Sequence, residues 1–348
     1  MSRKQREAID AALRQPQQLP AVDSIEARRA GFAAFMATAV VPSTVRQKQT
    51  VLGGRPAVMV EPEADARPGT ILYFHGGAWA LGSPDTAMSL TANLVARTGF
   101  TAVSLDYRLA PEEPFPAGLE DCLAAYRELV EAGADPSTIV FAGDSAGGNL
   151  AITACLAARS AGLPMPAAVV AFSPGLDMTL TGASMDAKAG IDPLFNRENL
   201  EPIMRTYHAG RDPRNELLSP AVVGDLTGLP PLLLQVGTNE VLLDDATRMA
   251  ERARAAEVDV ILDVVAGVPH VFQMFAGGSL DEADQALDRA AIFLTQQLPG
   301  PATRSLADHR VSLHDRPDSG EVTLPESDDL TAGRTVLAGM GAATGVTY

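Results

Sequence analysis

The stretch FAGDSAGGNL, residues 141–150, decides how this chain is read. An apolar run (TIVFAGD, 138–144) leads into it and a helical pattern (146–161) leaves it, so Ser145 stands at a strand-to-helix junction between Gly143 and Gly147. The glycines have a steric reason: a sharp, strained turn must lift the hydroxyl clear, and a side chain at either position would strike the neighbouring strand or helix. Two readings of Ser145 follow. It is either a presented hydroxyl or the side-chain cap of a helix.

The same alternation extends outward from residue 68 to 298. Short apolar runs at 70–76, 101–107, 138–144, 167–174, 231–237 and 259–267 predict strands, and their continuous apolar character predicts a sheet buried on both faces. Helical patterns at 87–98, 117–132, 146–161, 241–256 and 281–297 supply the crossovers, so the fold class is α/β, a mostly parallel sheet flanked by helices. Runs at 46–52 and 55–61 around Gly53-Gly54 predict an antiparallel hairpin. Residues 1–40 read as two amphipathic helices and about 184–212 as a helical insertion, together a helical cap on a domain spanning 41–298. Residues 299–348, rich in Gly, Pro, Ser, Thr and Asp, read as a disordered tail.

A serine that attacks needs a base to take its proton and an acid to fix that base. Of the 5 histidines, His309 and His314 fall in the tail and His208 in the insertion. His270 follows the strand at 259–267, on a loop at its C-terminal end, where an open α/β sheet presents ligand-facing groups. It is read as general base, with a backbone-bonded loop histidine as the alternative. Glu240 leaves the preceding strand early in its loop and is the acid chosen. Asp244 and Asp245 are the fallbacks, read first as helix-start residues facing the macrodipole. The HGGAW turn, residues 75–79, offers backbone N–H groups for a developing oxyanion, joined by that of Ala146.

With these motifs in order, the chain resembles the bacterial hormone-sensitive-lipase-like (family IV) carboxylesterases of the α/β-hydrolase superfamily. HGGAW resembles their oxyanion motif, GDSAGG (143–148) their nucleophile motif, and DYRLAPEEPFPA (106–117) their segment after the second central strand. The resemblance implies a helical cap, Ser145 as nucleophile, His270 as base, and Gly76, Gly77, Ala78 and Ala146 at the oxyanion site. The family's acid opens an Asp-Pro-Leu-x-Asp box; here Glu240 opens the matching segment, while Asp192-Pro193-Leu194 copies the letters inside the insertion and reads as a decoy. Trp79, Phe32, Phe35, Met36, Phe195, Met204 and Tyr207 are candidate pocket walls, each also readable as a plain core residue. Arg108, with Asp106 and Glu112 nearby, reads as an ion-pair anchor of its segment.

The expected activity is hydrolysis of short- to medium-chain esters through an acyl-enzyme, chemistry that uses no metal or organic cofactor. A lactone hydrolase or secondary-metabolite deacetylase on the same residues is the near alternative, and a non-catalytic small-molecule receptor the distant one. The partner is then a small ester or lactone, and the resemblance adds dimerisation through an edge strand as an expectation. A net charge of −16 argues against a nucleic-acid surface or a polybasic membrane patch. Neither a signal-like leader nor a membrane-length apolar run is read, and Cys122 and Cys155 fall in helical patterns as small hydrophobes, so the expected setting is the reduced cytoplasm.

Overall fold

A computed structural model describes residues 2–15, 24–64 and 66–298. The expectation of a disordered tail at 299–348 lies outside the described residues. Eight strands form the sheet: β1 (Val45–Leu52), β2 (Arg55–Pro62), β3 (Thr70–Phe74), β4 (Thr101–Leu105), β5 (Ile139–Asp144), β6 (Ala168–Phe172), β7 (Leu232–Gly237) and β8 (Val260–Val265), in the order β1-β2-β4-β3-β5-β6-β7-β8. The β1–β2 hairpin joins β4 antiparallel, and every other pairing is parallel. The helices are α1 (Ser2–Leu13), α2 (Ile25–Met36), α3 (Met88–Thr98), α4 (Ala117–Glu131), α5 (Ala146–Ser160), α6 (Ser184–Ala187), α7 (Arg197–His208), α8 (Pro220–Val223), α9 (Leu243–Ala255) and α10 (Asp281–Gln297).

The central strands are mostly apolar because both faces are covered. In β3, Leu72 and Phe74 join one core with residues of α4, α5 and α9, while Ile71 and Tyr73 join the other with residues of α3 and α10. The two-residue side-chain period divides one short strand between two cores. The last strand departs from the expectation of burial on both faces. As the sheet edge, β8 is half-buried, and Ile261 and Val264 are exposed.

Strand order positions the site. From β3 the chain moves to β4 on one side and later returns to β5 on the other, so the C-terminal ends of β3 and β5 flank the point where the winding reverses. Ligands bind at such switch points because adjacent loops diverge there and leave a crevice. Phe74 pairs with Gly143, which sets the 75–79 loop beside Ser145.

The N-terminal helices are anchored by arginines. Arg6 of α1 donates to the Ala266 carbonyl at 2.7 Å, and Arg29 of α2 donates to the Ala80 carbonyl at 2.9 Å and to both carboxylate oxygens of Glu112. Glu112 is therefore the partner of Arg29. Arg108 instead holds Asp121 at 2.8 Å, with Glu113 and Glu120 farther off, because its side chain turns toward the start of α4. Among the described residues no helix is long and apolar enough to cross a membrane.

Candidate active site

The turn from β5 to α5 is built by close approach. A Cβ at Gly143 would lie 2.3 Å from the Gly147 carbonyl oxygen, and one at Gly147 would lie 1.9 Å from that of Phe74. With both positions bare, Ser145 takes φ 52° and ψ −115°, a left-handed conformation costly for a residue with a side chain. It precedes α5 but its side chain makes no capping hydrogen bond, so the helix-cap alternative fails. The strain is held by neighbours, including the Ser145 amide, which donates to the Phe172 carbonyl at 2.8 Å.

Glu240 and His270 arrive from the C-terminal ends of β7 and β8. Glu240 is fully buried, and its Oε2 stands 2.8 Å from Nδ1 of His270. Its Oε1 accepts from the Ser173 hydroxyl at 2.9 Å and from the Gly237 amide. Ser173 Oγ also accepts from the Val271 amide at 3.0 Å, so one hydroxyl braces both loops. Burial is the largest influence on the His270 ring and disfavours its charged form. The hydrogen bond and charge of Glu240, with the charges of Asp192 and Asp144, outweigh it and raise the imidazole above its ordinary value. The fallback acids lie elsewhere: Asp244 Oδ2 accepts from the Ser184 amide, and Asp245 Oδ2 from those of Leu176 and Asp177.

Ser145, His270, Gly77 and Ala78 line one cavity of about 680 Å³. With Nδ1 engaged by Glu240, Nε2 is the ring nitrogen left free of that pair. Ser145 Oγ has no hydrogen bond among the described residues. The amides of Gly77 and Ala78 donate to no described backbone carbonyl, and Ala146 opens α5, where first-turn amides lack an intrahelical acceptor. Gly76 corrects the expectation. Its amide donates to Asp144 Oδ1 at 3.0 Å, so it fixes the loop and has no free N–H for an oxyanion.

Asp144 is the hub of that anchorage, since its Oδ1 also accepts from the Tyr73 hydroxyl at 2.9 Å. Burial pushes its carboxyl up from 3.8 to about 6, against the pull of these donors. The native state therefore holds a proton that the unfolded chain has released, and stability falls as pH rises through that window. Asp144→Asn keeps an oxygen for both donors and removes the titration. Relative to wild type, its stability is expected to gain on the order of 1–3 kcal/mol between pH 4 and 7, read from denaturant midpoints across that range.

Phe32, Phe35, Met36 and Phe195 line the cavity as read from the sequence, but Trp79, Met204 and Tyr207 do not. Those three are buried in the core, where the Trp79 ring stacks on Tyr207 at 4.7 Å. The reason is the helical stripe of α7: Asn199, Pro202, Ile203 and Thr206 face the cavity, and Leu200, Met204 and Tyr207 face the body. Ser173 and Asp192 were missed as supports. For Ser173 the available signal was its place at the C-terminal end of β6, the sheet end that also carries Ser145, Glu240 and His270. Among the described residues no cluster of His, Cys, Asp or Glu is arranged to hold a metal ion.

A strained serine and a buried carboxylate–imidazole pair around one apolar cavity, carried on this sheet, define an α/β hydrolase. A family model described as alpha/beta hydrolase fold matches residues 71–274. The chain is 44% identical over 225 residues to an acetyl-hydrolase of Streptomyces hygroscopicus, covering 65% of this chain and 75% of the relative. It is 36% identical over 253 residues to an esterase of Acinetobacter venetianus, covering 72% and 82%. The crystal structure of an esterase from the bacterial hormone-sensitive lipase family superposes with a TM-score of 0.81 at 38% identity, covering 85% of this chain and 99% of that one. This chain belongs to the α/β-hydrolase fold family, in its bacterial hormone-sensitive-lipase-like esterase branch, and is a carboxylic-ester hydrolase.

Proposed function

We propose that this enzyme hydrolyses short- to medium-chain carboxylic esters through an acyl-enzyme on Ser145. The observation that carries the reading is the 2.8 Å contact between buried Glu240 and His270, on the wall of the cavity that Ser145 also lines. His270 takes the Ser145 proton as Oγ attacks the ester carbonyl, and the amides of Gly77, Ala78 and Ala146 hold the oxyanion. The tetrahedral intermediate collapses, His270 returns the proton to the departing alcohol, and water repeats the sequence on the acyl-enzyme. Glu240 fixes the tautomer and stabilises the imidazolium.

The N-terminal helices and the 184–212 insertion act as the cap. Phe32, Phe35 and Met36 of α2 and Ile203 of α7 supply apolar wall, which supports small apolar acyl chains. The acetyl-hydrolase relative favours including acetyl esters among the substrates. The test is a series of 4-nitrophenyl esters from acetate to palmitate. The expected kcat/KM maximum lies at acetate to octanoate with a steep fall beyond; a maximum at palmitate contradicts the reading.

Glu240→Gln is expected to lower kcat by about 100- to 10,000-fold, because the amide turns a donor toward Nδ1 and favours the wrong tautomer. Asp244→Asn, whose carboxylate meets only Ser184 and the start of α9, should stay within about 3-fold of wild type. Steady-state kinetics on 4-nitrophenyl butyrate reads both, and the reverse ranking would move the acid.

A further inference from the structure

Asp192, set aside in the sequence as a decoy, is buried and divides its carboxylate between two parts of the chain. Its Oδ1 accepts from the amides of Leu194 and Phe195, at 2.8 and 2.9 Å, which folds a turn ahead of α7. Its Oδ2 accepts at 2.9 Å from the amide of Val241, the residue immediately after Glu240. The turn sets Phe195 edge-on against His270, with ring centroids 5.1 Å apart and planes at 86°. Arg14, just past the end of α1, donates to the carbonyls of Gly190 and Ile191, fixing the residues that lead into Asp192.

One carboxylate thus ties the loop that carries the acid to the aromatic side chain that rests on the base. A buried carboxylate is costly unless its lone pairs are filled, and here they are filled by amides from both sides, which makes the link specific. We infer that Asp192 is a positioning residue for Glu240 and His270: its hydrogen bonds hold the acid loop and Phe195 in place, and its charge favours the imidazolium formed during acyl transfer. The inference rests on the catalytic reading of Ser145, Glu240 and His270.

The charged groups around His270 are few and come from separate elements. Glu240 faces it from the loop after β7, Asp144 from the end of β5 and Asp192 from the insertion, while Arg28 of α2 lines the same cavity. Of the carboxylates, Glu240 is hydrogen-bonded to the ring, and Asp144 is itself displaced upward to about 6. Asp192 adds negative charge without touching the imidazole. Because it sits within the insertion, between α6 and α7, displacement of the insertion would disturb kcat as well as substrate binding.

The test compares Asp192→Asn and Asp192→Glu with wild type on 4-nitrophenyl butyrate from pH 5 to 9. Asparagine has one oxygen and must turn its NH2 toward either Val241 N–H or the Leu194 and Phe195 amides, so one set of bonds breaks and the charge goes. The expected result is a fall in kcat of about 10-fold with KM within about 3-fold. The acid limb of kcat/KM should also move down by about half a pH unit, since losing a nearby negative charge disfavours the imidazolium. Asp192→Glu keeps the charge and misplaces the acceptors, so kcat falls while the limb stays.

An unshifted limb in Asp192→Asn, or wild-type kcat in either variant, would overturn the inference. Far-UV circular dichroism and melting accompany each protein. If the asparagine variant does not fold, the glutamate variant decides: lowered kcat with an unmoved limb supports the inference, and wild-type kcat overturns it. Wild-type turnover that Ser145→Ala abolishes is established first, so failure of the Asp192 prediction stays distinguishable from failure of the catalytic reading.

Discussion

Ser145→Ala is expected to lower kcat/KM for 4-nitrophenyl butyrate by about 10,000- to 1,000,000-fold while leaving the fold intact. The loss is large because no acyl-enzyme forms without Oγ, and what remains comes from binding and oxyanion donors acting on a direct attack by water. The fold survives because the turn is held by backbone contacts around Gly143 and Gly147 and by the Ser145 amide on Phe172, none of which uses the hydroxyl. Alanine at φ 52° carries the same kind of backbone strain as serine, so the melting temperature should stay within about 2–4 °C. Activity within tenfold of wild type would remove Ser145 from the mechanism.

His270→Ala should cost a comparable factor, and the double variant Ser145→Ala/His270→Ala should be little worse than either alone, since the two residues act as a unit. Its stability signature differs from that of Ser145→Ala. Removing the imidazole leaves Oε2 of Glu240 buried without its partner, with Oε1 still held by Ser173 and Gly237. Stranding a buried acceptor costs on the order of 1–3 kcal/mol, so His270→Ala is expected to melt several degrees below Ser145→Ala. Equal melting temperatures would mean that the Glu240–His270 pair adds nothing to the native state. Additive losses of activity would mean that the two residues act independently.

Legibility differed by level. The central strands were readable because a sheet covered on both faces needs mostly apolar runs, and the Gly143–Gly147 turn because close backbone approach admits nothing larger than glycine. Glu240 stands early in a loop leaving a strand's C-terminal end, a place legible in the sequence, and from there its carboxylate reaches His270.

Which way a helix faces was harder. In α7 the sequence offers Ile203 and Met204 side by side, and only the packed body decides that Ile203 faces the cavity while Met204 is buried with Tyr207 beneath it. Trp79 went the same way, its ring stacked on Tyr207. Gly76 looked like an oxyanion donor because the motif shows an amide but not the Asp144 oxygen that claims it. Ser173 and Asp192 escaped because they act through hydrogen bonds to residues 67 and 49 positions away, and no local pattern carries such pairings.

If ester cleavage passes through a covalent bond on Ser145, the mass of the enzyme during turnover records it. Enzyme mixed with excess 4-nitrophenyl butyrate and quenched in acid within the first turnovers is digested and mapped by mass spectrometry. The expected result is a butyryl group on the peptide containing Ser145 in wild type, accumulating with a burst of 4-nitrophenol if deacylation is the slower step, and no such adduct in Ser145→Ala. A butyryl group on another residue, or wild-type turnover that persists in Ser145→Ala, would contradict it.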